Sequence, residues 1–170
     1  GVYANGPLKV DSTTGGGKPL TVEAAPGSAT IQFTGGGTPL VVKSAPVRFR
    51  GVSFDGRNLA LPLFEDTGRN AFIAVRDSVD TTFEDCAIVN SPGVGVYVRG
   101  ALARVRHCYI GSHSAGLMSE DARVIVRDNA FAALSNNGVM IWRSQITGDS
   151  SEVVGNTING VETQAGGTGQ

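Results

Sequence analysis

Phe83-Glu84-Asp85-Cys86-Ala87-Ile88 decides the fold, because its skeleton returns three more times. The later copies are Val105-Arg106-His107-Cys108-Tyr109-Ile110, Val126-Arg127-Asp128-Asn129-Ala130-Phe131 and Val153-Val154-Gly155-Asn156-Thr157-Ile158. Each is an apolar residue, two positions, Cys or Asn, one position, and a second apolar residue. Phe49, Val52 and Phe54 form a looser, earlier copy. Between copies runs a second phrase, a Gly followed by mostly apolar residues: Gly95-Val96-Tyr97-Val98, Gly116-Leu117-Met118 and Gly138-Val139-Met140-Ile141. Successive Cys/Asn positions lie 22, 21 and 27 residues apart, the length of one turn of a solenoid.

A period of that size holds three short strands with Gly or Asn at the corners. It predicts an all-β chain, a single-stranded right-handed parallel β-helix with three strands per coil. Coils in such a fold stack about 4.8 Å apart and alternate residues point in and out. The inward rows are then Val75, Val98, Ser119 and Ile141 in one sheet and Phe83, Val105, Val126 and Val153 in the next. Ile88, Ile110, Phe131 and Ile158 follow after the corner. One coil cannot bury its own inner face, so stability comes from its neighbours.

Composition agrees. The chain has 170 residues, 41% of them hydrophobic, enough for one core and one domain. Its 24 glycines, few aromatics and many Val, Ile and Thr suit turns and strands rather than helices. A formal net charge of -1 with no basic block argues against nucleic acid and anionic membrane surfaces as partners. No apolar run approaches the roughly 18 residues that membrane insertion by a helix needs. The start at Gly1-Val2-Tyr3 is read as a mature or excised N-terminus.

Along the chain, residues 1–56 carry a different, Gly-rich repeat. Thr14-Gly15-Gly16-Gly17-Lys18-Pro19-Leu20 returns 20 residues later as Thr34-Gly35-Gly36-Gly37-Thr38-Pro39-Leu40, each copy reading as corner, strand, corner, strand. A phosphate loop is excluded, since Pro19 stands where Ser or Thr belongs. Residues 57–70 are read as an inserted loop, 71–160 as regular coils with a second insert at 145–151, and 161–170 as a tail. Inserts in solenoids collect on one face and often build a binding site.

The repeats resemble those of the pectate-lyase-like right-handed parallel β-helix superfamily. Asn136-Asn137-Gly138-Val139-Met140-Ile141-Trp142-Arg143-Ser144, with the closing Gly166-Gly167-Thr168-Gly169-Gln170, is similar to a narrower group, the twin-arginine-translocated β-helix repeat proteins of alphaproteobacteria. The resemblance covers residues 45–170 well and the start loosely. It implies the fold and an exported protein, periplasmic or extracellular, more than any chemistry. The group's export signal, its leading cap and its further coils are absent here, so the chain resembles an excised portion.

Aligning the second phrase places Ala74, Tyr97, Met118 and Met140 in one outward row and Arg76, Arg99, Glu120 and Trp142 in the next. Asp77, Gly100, Asp121 and Arg143 lie just beyond, at the strand ends. An aromatic platform among carboxylates and arginines is what a polysaccharide needs, for the ring stacks on a pyranose while charged groups take hydroxyls or uronates. Tyr97, Glu120, Trp142 and Arg76 are the candidate substrate-binding residues; Asp77, Asp121, Arg99 and Arg143 are the candidate catalytic ones. Asp77 and Asp121, two coils apart, would sit about 9 to 10 Å apart at the backbone, and carboxyl separations of about 6.5 to 9.5 Å suit an inverting hydrolase. A lyase would instead hold Ca²⁺ among clustered acids and use Arg99 or Arg143 as base.

Cys86 and Cys108 occupy equivalent corner positions, about 5 Å apart across adjacent coils. That distance admits a disulfide, but stacked side chains run parallel, and Asn fills the same slot in later coils. Reduced, stacked thiols are the reading, without a metal site, since His107 points differently from its neighbour Cys108. Three functions stay open: an extracytoplasmic protein binding a polysaccharide on its outer sheet face, a non-catalytic assembly protein that forms a homo-oligomer through coil ends or a flat face, and a lyase or hydrolase acting through Asp77, Asp121 and the arginines.

Overall fold

The computed structural model of the chain describes residues 2–5, 7–59, 71–78, 80–142, 151–160 and 164–165. The first coil holds β1 (Val2–Asn5), β2 (Leu8–Asp11) and β3 (Leu20–Glu23), and the second β4 (Ala29–Gly35), β5 (Leu40–Lys43) and β6 (Val47–Arg50). Then come β7 (Val52–Leu59), β8 (Ala71–Arg76) and β9 (Thr81–Glu84), followed by β10 (Ala87–Val89), β11 (Val94–Arg99) and β12 (Leu102–Arg106). The fifth coil is β13 (Tyr109–Gly111), β14 (Ala115–Glu120) and β15 (Arg123–Arg127), and the sixth β16 (Ala130–Leu134), β17 (Val139–Trp142) and β18 (Glu152–Val154). β19 (Thr157–Gly160) and β20 (Gln164–Ala165) continue the stack.

Consecutive strands enter three different sheets in rotation. β1-β4-β7-β10-β13-β16-β19 make sheet A, β2-β5-β8-β11-β14-β17-β20 sheet B, and β3-β6-β9-β12-β15-β18 sheet C, with parallel pairing throughout. This is the right-handed parallel β-helix that the phrase spacing predicts.

The corners explain the phrase. A single residue in the left-handed region bends an extended chain sharply, and Gly, Asn and Asp adopt it at least cost. Gly51, Asp85, His107, Asp128 and Gly155 take this conformation where sheet C hands over to sheet A, each directly before the Val, Cys or Asn of the phrase. Ser44, Asp77, Gly100 and Asp121 do so between sheets B and C, and Asn90, Ser112 and Ala133 between A and B. At Gly155 the requirement is twofold: its φ is +68°, and a Cβ there would stand 2.1 Å from Asp128 Oδ1.

Inside, like stacks on like. Val98 pairs with Val75 and Ser119, and Ser119 with Ile141. Phe83, Val105 and Val126 align and are buried, as do Ile88, Ile110 and Phe131 with half-buried Ile158 above them, whereas Val153 continues its row in register but is exposed. The Phe49 and Phe83 rings stack at 5.2 Å and 11°, and Phe54 meets Phe49 edge-on at 5.4 Å. Burying these columns away from water is the main driving force for stacking the coils.

The Cys/Asn slot also points inward. Cys108 N–H donates to Asn129 Oδ1 at 2.8 Å, and Asn129 N–H to Asn156 Oδ1 at 3.0 Å, so each carboxamide caps the rung before it. Cys86 and Cys108 are free thiols, both buried, with Cys86 Sγ donating to Glu84 O at 3.3 Å and Cys108 Sγ to Arg106 O at 3.2 Å. A hydrogen bond to Cys86, together with burial, pushes the Cys108 thiol pKa up, so it keeps its proton. These are packing thiols, inward and free of any disulfide.

The 20-residue phrase runs corner, strand, corner, strand as expected, but its copies enter different sheets: Leu20 opens β3 in sheet C and pairs with Val47, whereas Leu40 opens β5 in sheet B and pairs with Leu8 and Ile73. The first copy turns through a 3-10 helix at Thr14–Gly17, while Thr34 and Gly35 of the second still belong to β4. The insert also starts later than residue 57, because β7 runs to Leu59 and pairs Asn58 with Thr34 and Leu59 with Gly35 across a register shift. Residues 60–70, most of the expected insert, lie outside the described residues, as do 143–150 and most of the tail.

Candidate functional site

β8, β11, β14 and β17 carry the expected outward rows in register. Tyr97 aligns with Ala74 and Met118, Met118 with Met140, Arg99 with Arg76 and Glu120, and Glu120 with Trp142. The two rows differ in environment. Tyr97, Met118 and Met140 are 1%, 0% and 3% exposed and form a second apolar cluster, outside the central core, with Ala71, Val94 and Ala115. Tyr97 therefore offers no open ring face to a sugar. Outward positions this apolar are stabilised by being covered, and the row carries no charge that would hold it in water. The Tyr97 hydroxyl donates to Glu120 Oε2 at 2.7 Å, which fixes a carboxylate that is itself only 9% exposed.

The other row is more open. Arg99 is exposed, and Arg76 and Trp142 are half-buried, with Trp142 packed on the edge of the second cluster. Arg76 Nε is buried without a hydrogen-bond partner. Asp77 and Asp121 stand at left-handed corners two rungs apart with Gly100 between them, as the spacing predicts. Their amides donate to Arg99 O and Trp142 O, and Asp121 Oδ1 is buried with no hydrogen-bond partner. The corner conformation alone favours Asp at both positions. Arg143, the remaining candidate, lies outside the described residues. Among the described residues no cluster of His, Cys, Asp and Glu is arranged to hold a metal ion, so the Ca²⁺ of the lyase reading has no ligand set there. No helix among them is long and apolar enough to cross a membrane.

The histidines have structural surroundings. His113 is buried, with Nδ1 3.1 Å from Ser91 O and Nε2 2.8 Å from Ile88 O. His107 is exposed at its corner between Asp85 and Asp128, at 3.8 and 3.9 Å.

Sequence reading missed the outer face of sheet C. There a cleft of about 440 Å³ is lined by Thr21, Arg48, Thr82, Glu84, Arg104 and Arg106, with Asp80, Pro19 and Pro46 beside them. The signal was present in the alternation Arg48-Phe49-Arg50, Thr82-Phe83-Glu84 and Arg104-Val105-Arg106, where each apolar middle residue points in and sends its charged neighbours out. Arg48 pairs with Glu84 and Arg104 with Asp80.

A family model described as "Right handed beta helix region" matches residues 32–170, well over half of the chain. No curated protein matches the chain, and no solved structure does.

Proposed function

Because the chain belongs to the right-handed β-helix family, whose coils lay side chains out in parallel outer rows, we propose that it binds a polysaccharide where sheet B turns toward sheet C. The observation that carries this reading is the row Arg76, Arg99, Glu120 and Trp142 on four consecutive coils. Rungs about 4.8 Å apart advance by close to one pyranose per coil, so an extended glycan lying along the axis meets an equivalent position at each sugar. Half-buried Trp142 supplies the stacking face that Tyr97 does not. Arg76 and Arg99 offer forked donors, and Asp77 and Asp121 take hydroxyls from the adjoining corner. Any lyase or hydrolase step by Asp77, Asp121 and Arg99 belongs to this same surface. The finer resemblance to twin-arginine-translocated β-helix proteins supports an exported setting, periplasmic or extracellular.

A glycan array probed with wild type and Trp142→Ala tests the proposal. Binding by wild type that falls about tenfold in the variant, or about 1.4 kcal/mol, is the expected result. Silence from both proteins removes the polysaccharide reading and leaves homo-oligomeric assembly, which light scattering at high concentration then decides.

A further inference from the structure

We propose that the cleft on the outer face of sheet C is a second binding site, for a hydroxylated molecule of saccharide size that presents one anionic group to Arg106. The group is a carboxylate or a sulfate or phosphate ester. The site shares no residue with the Trp142 row.

The charge balance inside the cleft motivates it. Three guanidinium groups, Arg48, Arg104 and Arg106, face two carboxylates, Asp80 and Glu84. Both carboxylates are engaged, Glu84 by Arg48 and Asp80 by Arg104. Glu84 is the direct neighbour of Arg106 on the preceding coil. Its carboxylate instead turns to Arg48, whose hydrogen bond holds it below the usual carboxylate range. On the following coil the neighbour of Arg106 is Arg127, another cation, which takes Glu152 for itself. Arg106 thus makes no ion pair among the described residues, and its half-buried side chain carries an Nε that is shut away from water without an acceptor. A partly desolvated guanidinium with no counter-ion is unfavourable, and an incoming anion relieves it.

The rest of the lining describes what carries the anion. Thr21 and Thr82 bring hydroxyls, and Pro19 and Pro46 offer apolar ring surface. Hydroxyl partners, one apolar face and one anionic group together match an acidic sugar. The volume of about 440 Å³ lies in the range of small-molecule sites, roughly 300 to 1,000 Å³.

Isothermal titration of the chain with a trigalacturonate, a sulfated disaccharide and neutral cellotriose tests this. At least one acidic probe binds, cellotriose binds at least about tenfold more weakly, and added salt weakens the acidic complex. Arg106→Gln lowers the affinity about tenfold, whereas Arg127→Gln on the same face stays within about twofold. Arg106 points outward and forms no ion pair among the described residues, so Arg106→Gln keeps the fold, which its circular dichroism checks. A preference for the uronate identifies a carboxylate, and a preference for the sulfated probe an ester. Equal affinity for cellotriose, no binding by either acidic probe, or an Arg106→Gln protein that binds like wild type overturns the proposal. Loss of acidic-probe binding in Trp142→Ala transfers it to the sheet B row and overturns this site alone.

Discussion

Replacing Asn129 with alanine tests the physical basis of the fold most directly. The side chain is 3% exposed and serves three partners. Oδ1 accepts from Cys108 N–H at 2.8 Å, and Nδ2 donates to Val105 O at 3.0 Å and to Asn156 Oδ1 at 2.8 Å. Asn129→Ala leaves a backbone donor and a backbone acceptor unpaired inside the solenoid, each costing about 1 to 3 kcal/mol. Partial relaxation at the corner recovers some of this, so the expected loss is about 3 kcal/mol. For a chain of this size that lowers Tm by roughly 6 to 12 °C. Urea denaturation supplies the comparison, with Asn156→Ala as reference. Asn156 makes the same kind of bonds, Nδ2 to Val126 O at 2.9 Å, but it is half-buried and water replaces it, so about 1 kcal/mol is expected there. The midpoint should fall at constant m-value, because neighbouring coils unfold together when their interfaces are strong. An Asn129→Ala protein that loses less than about 1 kcal/mol, or no more than Asn156→Ala, refutes the claim that the carboxamide caps the rung before it.

Ser119 sits in the inward row between Val98 and Ile141 with its Oγ buried and unpartnered, so Ser119→Ala should raise stability by about 1 kcal/mol in the same urea titration. A loss of that size would mean that the hydroxyl has a partner. Burial holds the His113 pKa below its ordinary value near 6.5, against the opposing pull of two carbonyl contacts. The unfolded chain therefore binds the proton first, and stability that is complete above about 6.5 is lost as pH falls through that value toward the folded pKa. A ring-proton NMR titration should find the His113 midpoint below about 6.5, and a midpoint above that value would reverse the sign.

What the sequence shows well is whatever the backbone enforces. The phrase around Cys86, Cys108, Asn129 and Asn156 is legible because a left-handed corner and an inward slot recur at fixed distance from two core residues. The Thr14 and Thr34 phrases mark their corners and strands correctly but not the sheet each strand enters, because a turn composition names only a turn. Alternation placed Tyr97 on the outside correctly, but outward is a direction and not an exposure. Whether an outer row meets water depends on chain packed over it, which no periodicity within the strand encodes. For that reason Trp142 and Tyr97 looked equivalent in sequence, yet only one remains available to a ligand.

The sheet C cleft shows the same limit from the other direction. A parallel, in-register stack places each side chain over its counterpart, so every outer row brings neighbours on adjacent coils to within about 5 Å. Apolar residues gain from this in the core, and like charges lose by it outside. Arg106 beneath Arg127 is such a pairing, tolerable for Arg127 because Glu152 stands beside it. Whether Glu84 answers Arg106 or Arg48 is decided by which guanidinium reaches it, and the longer diagonal reach of Arg48 wins. Row positions follow from sequence alone, but the choice of partner within a row depends on side-chain conformation. It is that choice which leaves one cation unmatched beside an open cleft, and the site exists only because of it.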